Sequence, residues 1–431
     1  MSLNVFVAGL WHLGCVTAAC AAAAGHRVTA YDSDIGLVSQ LKQLQLPVAE
    51  PGLHDLMAQQ TRAERLVFTD SEADAAGADM VWATWDTPVD DRDRPDAEWV
   101  LSRIEGLFAH LRDGAIVVVS SQLPAGSVAE LERRFAAAWP ARRISFACVP
   151  ENLRLGSAVD GFMHRDSVVV GIRRDDQREQ LTALLAPFAP HIEWMRVESA
   201  EMTKHALNGF LATSVAFINE IAALCEHVGA DAAEVSRGLR LDRRIGRHAY
   251  VTPGAAFSGG TLARDIVALT DLAARHSQPV SVLGGVKPSN DHHRRWALAR
   301  LQRELGSLRG RTIGVWGLTY KPGTDTLRRS GAVELCAALA AGGAIVRAYD
   351  PAVSTLPASI PEGVSLADSA VAAARNADAL VVATEWHQFR SVRPEELVAN
   401  GGALLVIDAN GFLAETLGRG AGIRYLGVGR R

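Results

Sequence analysis

The stretch Val197–Gly229, VESAEMTKHALNGFLATSVAFINEIAALCEHVG, decides how the chain is read. Its apolar residues Met202, Ala206, Phe210, Phe217, Ile221, Leu224 and Val228 recur at three- and four-residue steps. With no Pro and one interior glycine, Gly209, this spacing predicts a single helix of about eight turns. Glu198 and Glu201 suit its positive N-terminal end, and Gly229 supplies a C-cap. Lys204 and Asn208 lie four residues apart, so a cation and an amide project from one face about a turn apart. Periodicity alone makes this pair a solvated lysine and a helix-facing amide; the flanking sequence gives it another meaning.

At 431 residues the chain is too long for one hydrophobic core, so two or three domains are expected. A net charge of -4 gives no electrostatic case for nucleic acid or an anionic membrane. The five cysteines, Cys15, Cys20, Cys148, Cys225 and Cys336, show no CxxC or Cys/His metal spacing, which predicts reduced thiols, a cytoplasmic protein and no metal site. The start, MSLNVFVAGL, does not read as a signal peptide, and no run is read as approaching the ~20 apolar residues of a membrane span.

Upstream, the apolar run Asn4–Ala8 is followed by GLWHLG (Gly9–Gly14), a helical stretch to Gly25, and a strand from His26 to Tyr31 that ends in Asp32. Strand, glycine turn, helix, strand, acid is the layout of a dinucleotide-binding βαβ unit. Gly9 would make the tight turn, Gly14 would let helix and strand pack closely, and the helix N-terminus would face a pyrophosphate. Asp32 would accept hydrogen bonds from a ribose and repel a 2′-phosphate, which predicts NAD over NADP. Trp11 replaces the middle glycine, and its indole is expected to weaken cofactor binding.

Further strand readings are Met80–Trp85, the run from Ala115 into the turn at Gly126, Ile144–Leu153 and Ser167–Ile172. Their near-continuous Val, Ile and Ala content predicts a parallel sheet covered on both faces. Thr87, Ser120, Gln122 and Glu151 fall at strand C-terminal ends, where such sheets bind ligands. A second α/β half opens with TIGVWG near Arg309–Gly317 and continues through Ile345–Asp350, Ala379–Thr384 and Ala403–Asp408. Trp82, Trp85 and Trp316 read as core. His12, His205, His292 and His293 read as surface or satisfied histidines.

Taken in order, EPGL (Glu50–Leu53), VPENL, AEMTKHALN, RIG, PGAAFSGGTLARD, GLTYKPGTDTLR and ATEWHQF resemble the motifs of the UDP-glucose/GDP-mannose dehydrogenase family over nearly the whole chain. The resemblance implies an α/β fold of two Rossmann-like doubly wound domains joined by a long central helix and a small helical domain. Its parts would be a cofactor domain (1–195), a helical dimerisation domain (196–298) and a nucleotide-binding domain (299–431). It also implies twofold oxidation of C6 of a nucleotide sugar, from alcohol to aldehyde to acid, with two NAD.

Lys204 and Asn208 would then hold an oxyanion and a water, with Asp265 as base or water-orienting group and Glu151 near the reacting carbon. The implied cofactor site comprises Gly9, Trp11, Leu13, Gly14, Asp32, Thr87, Gln122, Arg264 and Arg328. The implied substrate site comprises Glu151, Leu153, Leu155, Lys204, Asn208, Tyr250, Phe257, Gly259, Gly260 and Lys321. Arg244 would reach in from a partner subunit of a homodimer.

The sequence departs from that family where its glycine loop reads GGxCxxKD: here Thr261 stands at the cysteine and Arg264 at the lysine. Gln122, Leu155 and Trp11 are further departures, and all are expected to face the reaction centre. A threonine hydroxyl is a far poorer nucleophile than a thiolate. The expected function is therefore NAD-dependent oxidation of a nucleotide sugar, a UDP-sugar foremost, that stops at the aldehyde or passes it slowly. The competing readings are a catalytically silent nucleotide-sugar-binding or regulatory protein, and an oxidation-assisted epimerase.

Overall fold

A computed structural model describes residues 2–90, 94–258, 260–327, 330–357, 360–398 and 402–430. The chain divides into two compact units, Met1–Leu207 and Asn208–Arg431. The first is built on an eight-stranded sheet of β1 (Asn4–Ala8), β2 (Arg27–Tyr31), β3 (Leu66–Thr69), β4 (Met80–Ala83), β5 (Ile116–Val119), β6 (Ser145–Cys148), β7 (Val168–Ile172) and β8 (Ile192–Arg196). Their order is β3-β2-β1-β4-β5-β6-β7-β8, so the chain reverses direction across the sheet between β1 and β4. That is the switch point at which open α/β sheets bind ligands.

Alternate residues of these strands feed two cores. Val5, Val7, Met80, Trp82, Ile116 and Val118 pack on one face, and Phe6, Ala8, Val81, Ala83, Val117 and Val119 on the other. Burial on both faces explains the unbroken apolar runs. The sheet is not wholly parallel as the runs suggest: β7 pairs antiparallel to β6. A valine run buried on both faces carries no signature of direction, so the sequence cannot distinguish the two pairings.

The second unit holds a six-stranded parallel sheet of β9 (Thr312–Trp316), β10 (Ile345–Tyr349), β11 (Val364–Leu366), β12 (Ala379–Val382), β13 (Leu404–Asp408) and β14 (Ile423–Leu426). Its order, β11-β10-β9-β12-β13-β14, repeats the doubly wound pattern of the first. The turn after β9 repeats the turn after β1. Gly9 N–H donates to Tyr31 O at 2.9 Å and Gly317 N–H to Tyr349 O at 2.8 Å, each glycine having a positive φ. Before this sheet lie helices Ala232–Leu241, Thr261–Arg275, Ser281–His293 and Trp296–Leu305.

The long helix spans Val197–Val228 and ends at Gly229, whose φ of 77° is the left-handed conformation of a glycine C-cap. Its buried side carries Ala200, Ala212, Ala216 and Ala222 together with Val197, Ile218 and several polar side chains. The large apolar residues that set the period, Phe210, Phe217, Leu224 and Val228, lie on the exposed side. Among the described residues this is the one helix long and apolar enough to cross a membrane. That corrects the expectation of no such run, because alanines raise the average without forming an uninterrupted apolar block. Its buried Glu201, Asn208, Asn219 and Glu226 are hydrogen-bonded within the protein, as polar groups in a core helix must be.

Candidate functional site

In the first unit a cleft of about 870 Å³ opens at the C-terminal ends of β1, β2 and β4, lined by Gly9, Trp11, Asp32, Trp85, Trp99 and Arg103 among others. Helix His12–Ala23 begins here with Trp11 at its N-cap and no side-chain capping bond. Its first-turn N–H groups are therefore available to an anion. Leu13 is half-buried on that helix. Asp32 accepts from Leu10 N at 2.8 Å and from Asp34 N at 3.0 Å, which fixes the carboxylate at the rim and leaves it lone pairs for ribose hydroxyls. A Cβ on Gly9 would meet the Trp85 side chain at 2.6 Å, so only glycine fits that turn. The uncapped helix, the glycine turn and the rim carboxylate together fit a dinucleotide. Trp11 is half-exposed and lines this cleft, whereas Gln122 lies beside Glu151 and Lys204. The departures thus do not all face one centre as expected.

A second cavity, of about 400 Å³, is lined by Glu151, Asn152, Leu153, Arg165, Thr203 and Lys204 among others. Lys204 Nζ donates to Asn152 Oδ1 at 2.6 Å. Thr87 Oγ1 donates to Gln122 O at 2.7 Å and joins the turns after β4 and β5. Leu155 is half-buried in the loop that follows Glu151. Glu50 holds that loop: its carboxylate accepts from Gly156 N and Ala158 N, both at 2.8 Å, and meets His12 Nε2 at 2.8 Å. Burial alone would raise the Glu50 carboxyl, but Gly156, His12 and Ala158 outweigh it and hold it below the ordinary range.

Glu201 does not act on the dipole of its own helix. Its carboxylate accepts from Gly126 N at 2.7 Å and Val128 N at 2.9 Å, at the start of helix Ser127–Ala138. Burial, opposed by those two bonds, leaves its pKa raised. Glu198 lies in the first turn of the long helix, as expected, and also pairs with Arg173 at 2.7 Å. His205 is satisfied by Leu123 O at 2.9 Å.

In the second unit Asn208 Nδ2 donates to the carboxylate of Asp265, which is wholly buried. Thr261 is the exposed first residue of helix Thr261–Arg275, four residues before Asp265 on the same face, with Gly260 at the N-cap and half-buried Arg264 between. The loop before it is pinned by amide side chains: Asn219 to Gly254 N at 3.0 Å, Asn410 to Ala255 N at 2.6 Å, and Asn290 to Phe257 N at 3.0 Å. His293 Nε2 donates to Gly254 O at 2.7 Å. A cavity of about 540 Å³ beside Phe257 is lined by Trp296, Thr319, Tyr320, Glu334 and Asn410 among others. Lys321 follows Tyr320 on the turn after β9.

Arg244 is paired with Asp242 at 2.7 Å with its side chain 90% exposed, and Tyr250 is also exposed. Gly259 and Arg328 lie outside the described residues. All five cysteines are free and buried. Burial pushes the thiols of Cys15, Cys20 and Cys336 up to about 12 and raises that of Cys148 as well. No group of three or more His, Cys, Asp or Glu among the described residues is placed to hold a metal.

Three consecutive segments match models of the UDP-glucose/GDP-mannose dehydrogenase family. They are its NAD binding domain over residues 3–189, its central domain over 198–292 and its UDP binding domain over 314–415. The chain is 35% identical over 443 residues to the UDP-glucose 6-dehydrogenase of Pseudomonas aeruginosa, covering 99% of this chain and 98% of that protein. It is likewise 35% identical over 438 residues to the UDP-glucose 6-dehydrogenase of Rhizobium meliloti, covering 99% of this chain and 100% of the relative. Among solved structures, a UDP-glucose dehydrogenase from the archaeon Pyrobaculum islandicum matches with a TM-score of 0.88 at 28% identity, covering 100% of this chain and 98% of that one.

Proposed function

The chain belongs to the UDP-glucose/GDP-mannose dehydrogenase family, and on that premise we propose that it oxidises C6 of a UDP-sugar with NAD, with the first oxidation outrunning the second. The observation that carries this reading is the bond from Asn208 to the buried carboxylate of Asp265, with Lys204 one turn earlier on the same helix. Bound NAD supplies the hydride acceptor. The C6 hydroxyl gives its proton to Asp265 or to a water that Asp265 orients, while hydride leaves C6. Lys204 Nζ and the second N–H of Asn208 donate to the developing oxyanion.

The second oxidation needs an oxygen nucleophile. Thr261 offers a hydroxyl, no cysteine lies in its loop, and four of the five thiols are held protonated by burial. Once Asp265 has released its first proton to solvent and a second NAD has replaced the reduced cofactor, water would add to the aldehyde carbon with its proton passing to Asp265, and the hydrate would give the second hydride to that NAD. The cofactor groups are Gly9, Trp11, Leu13, Gly14, Asp32, Thr87, Gln122, Arg264 and Arg328. Glu151, Leu153, Leu155, Tyr250, Phe257, Gly259, Gly260 and Lys321 form the substrate site.

The three-part division at 195 and 298 is supported by the positions of the family matches. A homodimer along the long helix, with Arg244 completing the partner subunit's site, is supported by the exposed stripe Leu207, Phe210, Phe217, Leu224 and Val228. The free thiols support a reducing, cytoplasmic setting. Following NADH absorbance with UDP-, GDP- and TDP-sugars tests the reading. NADH with a UDP-sugar, abolished in Lys204→Ala, is expected; no NADH with any of them would overturn it.

A further inference from the structure

The 400 Å³ cavity contains an ion pair for which the proposed chemistry has no direct use. Arg165, just before β7, places Nη2 2.7 Å from Glu151 Oε2, with the two side chains only 10% and 8% exposed. The guanidinium is itself held, since Nε donates to Phe162 O at 3.1 Å and the group lies 3.9 Å from the centroid of the Phe162 ring. The other oxygen of Glu151 accepts the N–H of Asn152 at 2.7 Å, and Asn152 Oδ1 accepts from Lys204 Nζ at 2.6 Å. Four residues thus form one continuous chain of charged and polar contacts, Arg165 to Glu151 to Asn152 to Lys204.

We propose that Arg165 is a positioning residue. It locks the Glu151 carboxylate, which fixes the Asn152 backbone and so aims the amide that holds the Lys204 ammonium. Both oxygens of Glu151 are engaged in this way, so Glu151 serves this protein as a strut for Lys204 and not as the proton acceptor of the reaction. Two physical points favour this assignment. A nearly buried carboxylate with a fixed guanidinium 2.7 Å from one oxygen and a backbone N–H on the other is held in a single orientation. An ammonium on a flexible stem also loses much rotamer freedom when held, so a rigid acceptor is what pre-organises it.

The kinetic consequence rests on the function proposed above, whereas the geometric one does not. The chain has four lysines, Lys42, Lys204, Lys287 and Lys321, so reductive methylation with ¹³C-formaldehyde gives a spectrum simple enough to assign by single lysine-to-arginine variants. In R165M and in N152A the Lys204 resonance should move towards that of exposed Lys42. The double variant should move it no further, R165K should largely restore it, and Lys287 and Lys321 should stay in place. Should R165M fail to fold, E151Q carries the same expectation.

In turnover, R165M should lower kcat by roughly 10- to 100-fold with KM for NAD unchanged, as misplacement of a catalytic group does, and R165K should recover most of it. A Lys204 resonance that stays at its wild-type position in R165M and E151Q overturns the proposal whatever the activity. Absence of NADH from every nucleotide sugar overturns the functional reading and leaves the spectroscopic result to decide this one.

Discussion

A Cβ atom on Gly14 would stand 1.8 Å from the carbonyl oxygen of Gly9. The helix that follows β1 therefore seats against the glycine turn with no room for a methyl group. Gly14→Ala must push helix and turn apart, at a cost of about 1–3 kcal/mol by analogy with overpacked cores. It should lower the melting temperature and weaken NAD binding by calorimetry. A variant that binds NAD as the parent does would show that the close approach does not shape the cofactor site.

Asp32 sets the second expectation. With its carboxylate fixed by Leu10 N and Asp34 N at the cleft rim, it meets a 2′-phosphate with charge repulsion. Asp32→Ala should narrow the preference for NAD over NADP, read as the ratio of the two dissociation constants. Trp11→Gly should tighten NAD binding, because the indole lines the same cleft. An unchanged ratio in the first variant, or unchanged affinity in the second, would count against these roles.

Glu201 gives a pH dependence with a definite sign. Its folded pKa is raised by burial, so the folded protein binds this proton more readily than the unfolded chain. Its contribution to stability is then fullest below the ordinary glutamate range and is lost as pH rises through the raised value. Relative to Glu201→Gln, which does not titrate, the parent should gain stability in urea unfolding as pH falls from neutrality towards the ordinary glutamate range. A difference that does not vary with pH would show that burial does not shift this group.

The exposed side of the long helix, with Phe210 at 69% and Leu224 at 62% exposure, is the surface on which the dimer is expected. Placing charge there should separate the subunits without disturbing the buried face of the helix. Phe210→Glu with Phe217→Glu should sediment as a folded monomer with reduced activity, since Arg244 could then no longer reach a neighbour. A parent protein that is already monomeric and active at micromolar concentration would remove both claims.

Much of this architecture was legible because its signals are local. The long helix, the glycine turn, Asp32 and the strands at the sheet centre each follow from a period or a spacing. What was not legible depends on partners distant in sequence. Strands β3 and β8 went unread because LVFT is four residues long and IEWMR mixes charge into an edge strand. The antiparallel β7 is indistinguishable in sequence from its parallel neighbours. Glu201 sits where a helix-dipole role is natural, and only the fold brings Gly126 and Val128 to it. Glu50 belonged to a recognisable motif, but its hold on Gly156 and Ala158 spans more than 100 positions of chain. Arg165 had no signal at all, being one charge ahead of a valine run.

Thr261, standing in place of a thiolate, is proposed to separate the two oxidations. By comparison with loss of one transition-state contact, the second step should be slowed on the order of 10²- to 10³-fold, or about 2.7 to 4 kcal/mol. The most direct measurement is the number of NADH formed per UDP-sugar on the timescale of the first step, with hydrazine present in a parallel reaction to trap aldehyde. One NADH and a trapped aldehyde are expected for the native protein, moving towards two NADH in Thr261→Cys. Two NADH and a released uronic acid from the native protein, at the speed of the first step, would contradict that role of Thr261.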